Sequence, residues 1–430
     1  MPPAPATDLP QTPPAHSALI RVFGRIGLLS FGGPAAQIAL MQRELVEQRD
    51  WLTQRQYLDA LSFCMLLPGP EAMQLATYAG WKLRGVPGGL IAGGLFVLPG
   101  ALVVLALSFA YAAYGAVPLV AALFLGVQAT IIIIVLEALF KLSRRALGTT
   151  GHRLIAAAAF IGIYVFQLPF PLIIAAAALA GFASVRTGAA PHAPGTAPPP
   201  LAGMLPTVAL WLALWLAPVA VLWAIEAPLL TDLALFFGQL AVVTFGGAYA
   251  VLAWMTQVVV QDYGWLTTAQ MIDGLGLAET TPGPLILVTQ FVGFLAGYQA
   301  GGAGLALAAA GITLWMTFVP CFLWIFAGAP YVAWLGEQPR LSAGLRAISA
   351  AVVGVIANLS LWFALHVVFA QTGMVTGPFW AFVWPDPASL RPLALALTGA
   401  AGALIWGLRW PVVPVLIAMA ALSAGAAALA

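Results

Sequence analysis

Along most of this chain apolar positions run on without interruption instead of alternating with polar ones. Ala116 to Leu136, Leu154 to Val185 and Leu205 to Ile225 are almost wholly apolar. A bilayer needs about 20 such residues per helix. Strands of a membrane barrel would alternate with a period of two, so the runs predict helices. They predict roughly 11 to 13 membrane segments in all. They fall at 18–40, 57–80, 88–114, 116–138, 205–225, 229–256, 271–298, 303–328, 343–369, 393–408 and 411–428. A shorter pair, 153–168 and 170–185, meets at Pro169 and Pro171, which read as a tight turn or a kink. The expected fold is an all-α polytopic membrane protein.

Polar stretches punctuate this pattern. Residues 1–17 are Pro-rich, lack a basic n-region, and read as a disordered tail with no cleavable signal. Residues 186–204, beginning RTGAAPHAPGTAPPP, have little to bury and break helices, so they read as a linker. The linker separates a first transmembrane repeat, 18–185, from a second, 205–430, which carries one extra linking helix.

The two halves are related in sequence. Phe31-Gly32-Gly33 recurs as Phe245-Gly246-Gly247, and Trp51-Leu52-Thr53 as Trp265-Leu266-Thr267. Gln56 and Asp59 match Gln270 and Asp273, and Pro68-Gly69-Pro70 matches Pro282-Gly283-Pro284. Every pair is separated by 214 residues, with no gap. Shared alanines would arise by chance in such a composition; a constant register through Trp, Asp, Gln and two Pro-Gly-Pro triplets would not. The loop after the first motif carries Arg43, Arg49 and Arg55, whereas its counterpart, 256–270, has no Lys or Arg. The positive-inside rule therefore makes the first loop cytoplasmic and allows the second to lie opposite. An odd shift of seven segments points the same way, to inverted-topology repeats of the kind that build secondary transporters.

The repeated motifs are helix breakers. Gly-Gly tolerates a break, and Pro34 fits the first turn of a new helix. Two prolines flanking a glycine remove backbone donors and should unwind a helix. Freed backbone is costly in hydrocarbon, so broken helices must face protein or a wet cavity. Helix N-termini at such breaks suit an anion. Isolated, each motif would be read as a kink or packing site; four paired breaks favour a binding site. Candidate binding positions are Gly32, Gly33, Pro34, Pro68, Gly69, Pro70, Gln74, Gly246, Gly247, Thr280, Thr281, Pro282, Gly283 and Pro284. Arg25 is a further candidate, either a fixed positive charge for the anion or a side chain that snorkels to the surface. Glu71, Glu279, Asp59 and Asp273 are candidates for proton coupling, because an ionisable residue at membrane depth is a functional candidate by default. The plainer reading of Asp59 and Asp273 is a cap at a helix start. Glu137 is expected to pair with Lys141 one turn on, and His366 reads as a packed or interfacial histidine.

Composition narrows the choices. Of 430 residues, 62% are hydrophobic and 7% charged, with mean hydropathy +0.99. A soluble domain is about a quarter charged, so that class is excluded. A net charge of +2 gives no footprint for nucleic acid. Cys64 and Cys321 lie in apolar runs and read as core residues. No metal-ligand spacing, P-loop or nucleophile–base arrangement is visible, so no cofactor, metal or catalytic residue is expected.

The motif stretches SFGGPAAQIALMQRELVEQRDWL, LLPGPEAMQLATYAG, TFGGAYAVL and AETTPGPL resemble the signatures of the chromate ion transporter family in its long, two-domain form. The resemblance covers both halves. It implies a bacterial inner-membrane exporter of chromate, and places motif positions at the glycines and prolines above and at Gln74. Gln37 and Met65 depart from it, since the family often has histidine and glutamine there. A tetrahedral dianion agrees with the breaks, and an inside-negative potential favours its export by about 2.3 kcal/mol per charge per 100 mV. The sequence supports a secondary transporter working by alternating access, driven by voltage and by proton exchange where the carboxylates take part. A sulfate or other anion transporter, or a passive anion channel, are alternatives on the same scaffold. The implied partners are the oxyanion and the bilayer, with a homodimer as one option.

Overall fold

The computed structural model describes residues 13–31, 33–115, 117–185, 204–245, 248–332 and 338–429. The chain is an α-helical membrane protein. Among the described residues, six helices are long and apolar enough to cross a bilayer. They are α4 (Glu71–Tyr114), α5 (Pro118–Ala146), α8 (Leu205–Ala224), α12 (Val288–Gly328), α13 (Pro339–Val368) and α15 (Val412–Leu429). Shorter helices complete the bundle: α1 (His16–Leu29), α2 (Gly33–Gln42), α3 (Gln54–Cys64), α6 (Thr150–Tyr164), α7 (Phe170–Ser184), α9 (Pro228–Val243), α10 (Ala248–Gln257), α11 (Thr268–Thr280) and α14 (Pro392–Gly402). The expected linker falls outside the described residues except for Met204, as does the tail up to residue 12. Residues 16 and 17 already belong to α1, and Arg84 donates to the carbonyls of Pro13 and Pro14.

Two helices are too long for one crossing. At 1.5 Å per residue the 44 residues of α4 would reach about 66 Å, roughly twice the hydrocarbon thickness. The chain instead turns back at Arg84-Gly85, where Gly85 has φ 62° and ψ −156°. Its arms are packed so closely that a Cβ on Gly80 would strike the Gly88 carbonyl and Ala92. Pro87 enters just after this turn, within the first turn of the returning arm. α12 does the same at Gly301-Gly302, where Gly302 has φ 75° and ψ −165°. There Gly297 lies against Leu305 and Ala306, and Gly293 against Ala309 and Thr313. Small residues let backbones approach where lipid gives helices no hydrophobic reason to associate.

The sequence register survives in local structure. Thr53 and Thr267 each form a capping box, with Gln56 and Gln270, at the starts of α3 and α11. A single π turn precedes each of them, at Arg43–Glu47 and Val258–Asp262. After it the Trp51 and Trp265 amides donate to the carbonyls of Leu45 and Val259, both at 2.9 Å.

The halves are not separate packing units. α13, from the second half, packs against α6 and α7 of the first. α5, from the first half, packs against α14 and α15 of the second. Glycines set both contacts: Gly354 meets Ala156 and Phe160, and Gly126 meets Met419. The α5–α14–α15 group has an apolar core of its own, built on Ala129, Ile133, Leu397, Ala401, Val415 and Met419. One element departs from the all-α expectation: an antiparallel hairpin of β1 (Thr372–Thr376) and β2 (Ala381–Pro385) follows α13. The Gln167 side chain ties it to the end of α6, donating to the Ala381 carbonyl at 3.1 Å.

Candidate functional site

Each of α1 and α9 stops inside the molecule. Ser30 has φ −78° and ψ 64°, and Thr244 has φ −76° and ψ 86°, both near an inverse γ-turn. The next amide, of Phe31 or Phe245, donates back to Leu29 or Val243 at 2.9 and 3.0 Å. The two hydroxyls fold onto their own helices, Ser30 to the Ile26 carbonyl at 2.6 Å and Thr244 to Leu240 at 2.5 Å. α2 starts at Gly33, whose φ of 77° favours glycine, with Pro34 in its first turn. Gly32, Gly246 and Gly247 lie outside the described residues.

The Pro-Gly-Pro triplets form the second pair of tips. α3 ends at Cys64, so the stretch 57–80 is not one helix, and α4 opens at Glu71 directly after Pro70. In the second half α11 ends at Thr280, a short 3-10 turn follows Pro284, and α12 begins at Val288. Gly69 and Gly283 have φ values of 116° and 92°, the left-handed region that side chains resist.

These four tips are joined crosswise between the halves. The Gly69 amide donates to the Thr244 carbonyl at 2.7 Å, and the Gly283 amide donates to the Ser30 carbonyl at 2.9 Å. Donor and acceptor in one bond are the repeat equivalents of donor and acceptor in the other. Carbonyls freed where a helix stops thus find donors freed where a triplet unwinds, which satisfies backbone that hydrocarbon would penalise.

Two buried amides line the tips. Gln37 donates to the carbonyls of Gly283 at 2.7 Å and Ser30 at 3.3 Å. Gln74 donates to the Pro68 carbonyl at 2.6 Å. Both side chains are almost inaccessible, and neither Oε1 has a partner among the described residues. Cys321, from α12, sits against Gly69; it and Cys64 are free, buried thiols. Thr280 and Thr281 turn back to the carbonyls of Leu277 and Ala278.

The four candidate carboxylates have different surroundings. Glu279 is buried and accepts from the Tyr249 hydroxyl at 2.6 Å. Asp273 is also buried, and accepts from Tyr111 and Gln128, each at 2.7 Å. Both donors come from the first half. Glu71 stands half-buried in the first turn of α4. Asp59 is exposed and pairs loosely with Arg55 at 3.8 Å, so the register that links it to Asp273 does not give it the same surroundings. Arg25 is not brought to the tips; its side chain is 59% exposed and lies 3.9 Å from Glu44, which Arg49 holds more closely. Elsewhere, Lys141 pairs with Glu137, and His366 contacts the Trp362 carbonyl at 2.9 Å. Tyr249, Tyr111, Gln128 and the carbonyls of Ser30 and Thr244 are the participants that sequence reasoning missed. Only the last pair carried a signal, a hydroxyl residue before each Phe-Gly-Gly.

A bundle of apolar helices with crossed interior breaks and buried carboxylates defines a multi-pass membrane protein. The chromate transporter family matches residues 17–182 and 231–426, and the chain belongs to that family. It is 33% identical over 357 residues to the "Probable chromate transport protein" of Synechococcus elongatus, covering 80% of this chain and 84% of the relative. Identity to the "Chromate transport protein" of Pseudomonas aeruginosa is 31% over 425 residues, covering 93% and 95%. The "Uncharacterized transporter YwrA" of Bacillus subtilis is 32% identical over 162 residues, which is 37% of this chain but 91% of the relative. No solved structure matches the chain.

Proposed function

We propose that this chain is a secondary transporter that exports chromate across the bacterial inner membrane by alternating access. The observation that carries the reading is the reciprocal pair of bonds, Gly69 to Thr244 and Gly283 to Ser30. A midplane site shared by two inverted repeats calls for such crossed, unwound backbone. The relatives named for chromate transport supply the substrate. New helices begin at or near the tips, at Gly33, Glu71 and Ala248, so dipole ends that favour an anion converge there.

Inversion is supported by tracing contacts. The start of α1 lies beside the turn of α4, through Arg84 and Pro13, while Gly27 reaches Pro99 further along the returning arm. Following such contacts through the bundle puts every described Lys and Arg except Arg391 toward one end. The positive-inside rule makes that end cytoplasmic. The turn of α4 then faces the cytoplasm and the turn of α12 the opposite side.

The carboxylates bear on coupling. A dianion beside Glu71 and Glu279 is repelled unless they hold protons, so anion binding and protonation favour each other. Voltage alone favours outward movement of a dianion by ~4.6 kcal/mol per 100 mV. Expression in a chromate-sensitive bacterium, with cellular chromate and sulfate measured together, tests the reading. Chromate should fall while sulfate holds; unchanged chromate in cells that insert the protein correctly would remove the assignment.

A further inference from the structure

Away from the crossed tips, a small pocket opens to solvent beneath the β1–β2 hairpin. It lies between the end of α6, α10 with its π turn, and α13. No charged side chain lines it among the described residues. Instead Gln257, Gln261 and Asn358 present amides, and no other described group engages them. Asn358 stands half-buried in the largely apolar α13.

The pocket is also placed with respect to the interior. Ala253 forms part of its wall. One turn toward the tip on the same face of α10 stands Tyr249, which holds Glu279 at 2.6 Å. Tyr249, Ala253 and Gln257 therefore form a single stripe from a buried carboxylate to solvent. The rim is fixed: the Tyr164 hydroxyl donates to the Val383 carbonyl at 2.7 Å, and the Ala381 amide donates to the Val165 carbonyl at 2.8 Å.

We propose that this pocket is an outer vestibule which binds the tetrahedral oxyanion through neutral N–H donors, one helical turn beyond the Tyr249–Glu279 pair. The proposal rests on the export reading for the direction of travel, but its binding claim can be scored without transport. Neutral donors suit a release site. Hydrogen bonds to an anion are stronger than neutral ones, while the lack of a countercharge keeps the ion from lodging there, as conduction requires. Asp262 and Asp386, both in segments next to the pocket's walls, add negative charge that assists departure.

The test uses the full chain in liposomes, with Asn358→Cys and Gln257→Cys as separate variants and the buried native thiols as the unlabelled blank. Molybdate, a tetrahedral dianion, serves as probe because chromate itself oxidises thiols. Labelling by a membrane-impermeant maleimide should be slowed by molybdate and not by glucose, in at least one variant. Gln257→Leu should raise the half-saturating anion concentration on the outer face about tenfold, the equivalent of one lost hydrogen bond to an anion, and leave the inner face unchanged. No protection by molybdate in either variant, or protection by glucose instead, would overturn the vestibule. So would an equal shift on both faces. Protection without chromate flux in the unmodified protein would uphold the vestibule and remove the transport reading.

Discussion

At the scale of single residues, the crossed tips depend on two glycines in a backbone conformation that other residues resist. A Cβ on Gly69 would meet the Gln74 amide nitrogen at 2.8 Å and Cys321 Sγ at 3.1 Å; on Gly283 it would meet Leu287 at 3.0 Å. Beyond the crowding, a positive φ costs an L residue about 1–2 kcal/mol. Gly69→Ala and Gly283→Ala should each lower chromate transport about 5- to 30-fold, that cost converted to a rate, while the protein still inserts. Gly94→Ala, with open space around its Cβ position, is the control and should transport normally. Equal activity in all three, measured in proteoliposomes, would reduce the tips to packing features. Glu279 makes a different prediction. With its carboxylate ionised, a dianion nearby is disfavoured, so the half-saturating concentration of chromate should rise with pH. Glu279→Gln removes the titrating charge and should flatten that rise. A pH profile that keeps its slope in the variant would take Glu279 out of the coupling.

Among elements, the turned-back helices offer a cleaner stability test. Gly85 and Gly302 combine positive φ with ψ near 180°, a region populated almost only by glycine, and holding another residue there costs about 1–3 kcal/mol. Nothing lies within 4 Å of a Cβ built at either position, so alanine there adds backbone strain without a clash. Gly85→Ala and Gly302→Ala should each lower the thermal midpoint in detergent, by similar amounts, and leave the anion's half-saturating concentration unchanged. A loss of affinity would mean the turns reach the site. These turns were legible in sequence as the gap between 57–80 and 88–114, although the first of those stretches is two helices parted by Pro-Gly-Pro. The caps are formed by Thr53 and Thr267, not by Asp59 and Asp273, which stand inside α3 and α11; the signal was the Thr-x-x-Gln spacing repeated in both halves. The β1–β2 hairpin was missed under a hydropathy reading, yet its signal is present in Met374-Val375-Thr376 and Phe382-Val383-Trp384 about Gly377-Pro378. What no local pattern could reveal is which tip meets which. The Gly69–Thr244 and Gly283–Ser30 bonds join residues from different halves, and Asp273 finds Tyr111 and Gln128 only through the tertiary fold.

For the molecule as a whole, the exchange of helices between halves changes what can move. If each half were a body, α5 would travel with α4 and α13 with α12. Instead α5 is packed with α14 and α15 around its own apolar core, and α13 with α6 and α7. α13 also packs against α5, so the exchanged helices form one mixed body beside the crossed tips and the paired helices of α4 and α12. A displacement of that body against the centre would leave both reciprocal hydrogen bonds intact, whereas separating the sequence halves would break them and strand backbone groups in hydrocarbon at several kcal/mol each. The same exchange predicts the behaviour of a split chain. Residues 1–185 and 205–430, expressed together as two polypeptides, should co-purify and restore chromate transport, since every swapped contact can still form. Expressed alone, either piece lacks the partners of its own central helix, α5 in one and α13 in the other, and should aggregate or be degraded. Size-exclusion chromatography in detergent reads the outcome directly. A monodisperse first half without its partner would show that the halves are self-sufficient, and the exchanged helices would then be contacts made after folding rather than a condition of it.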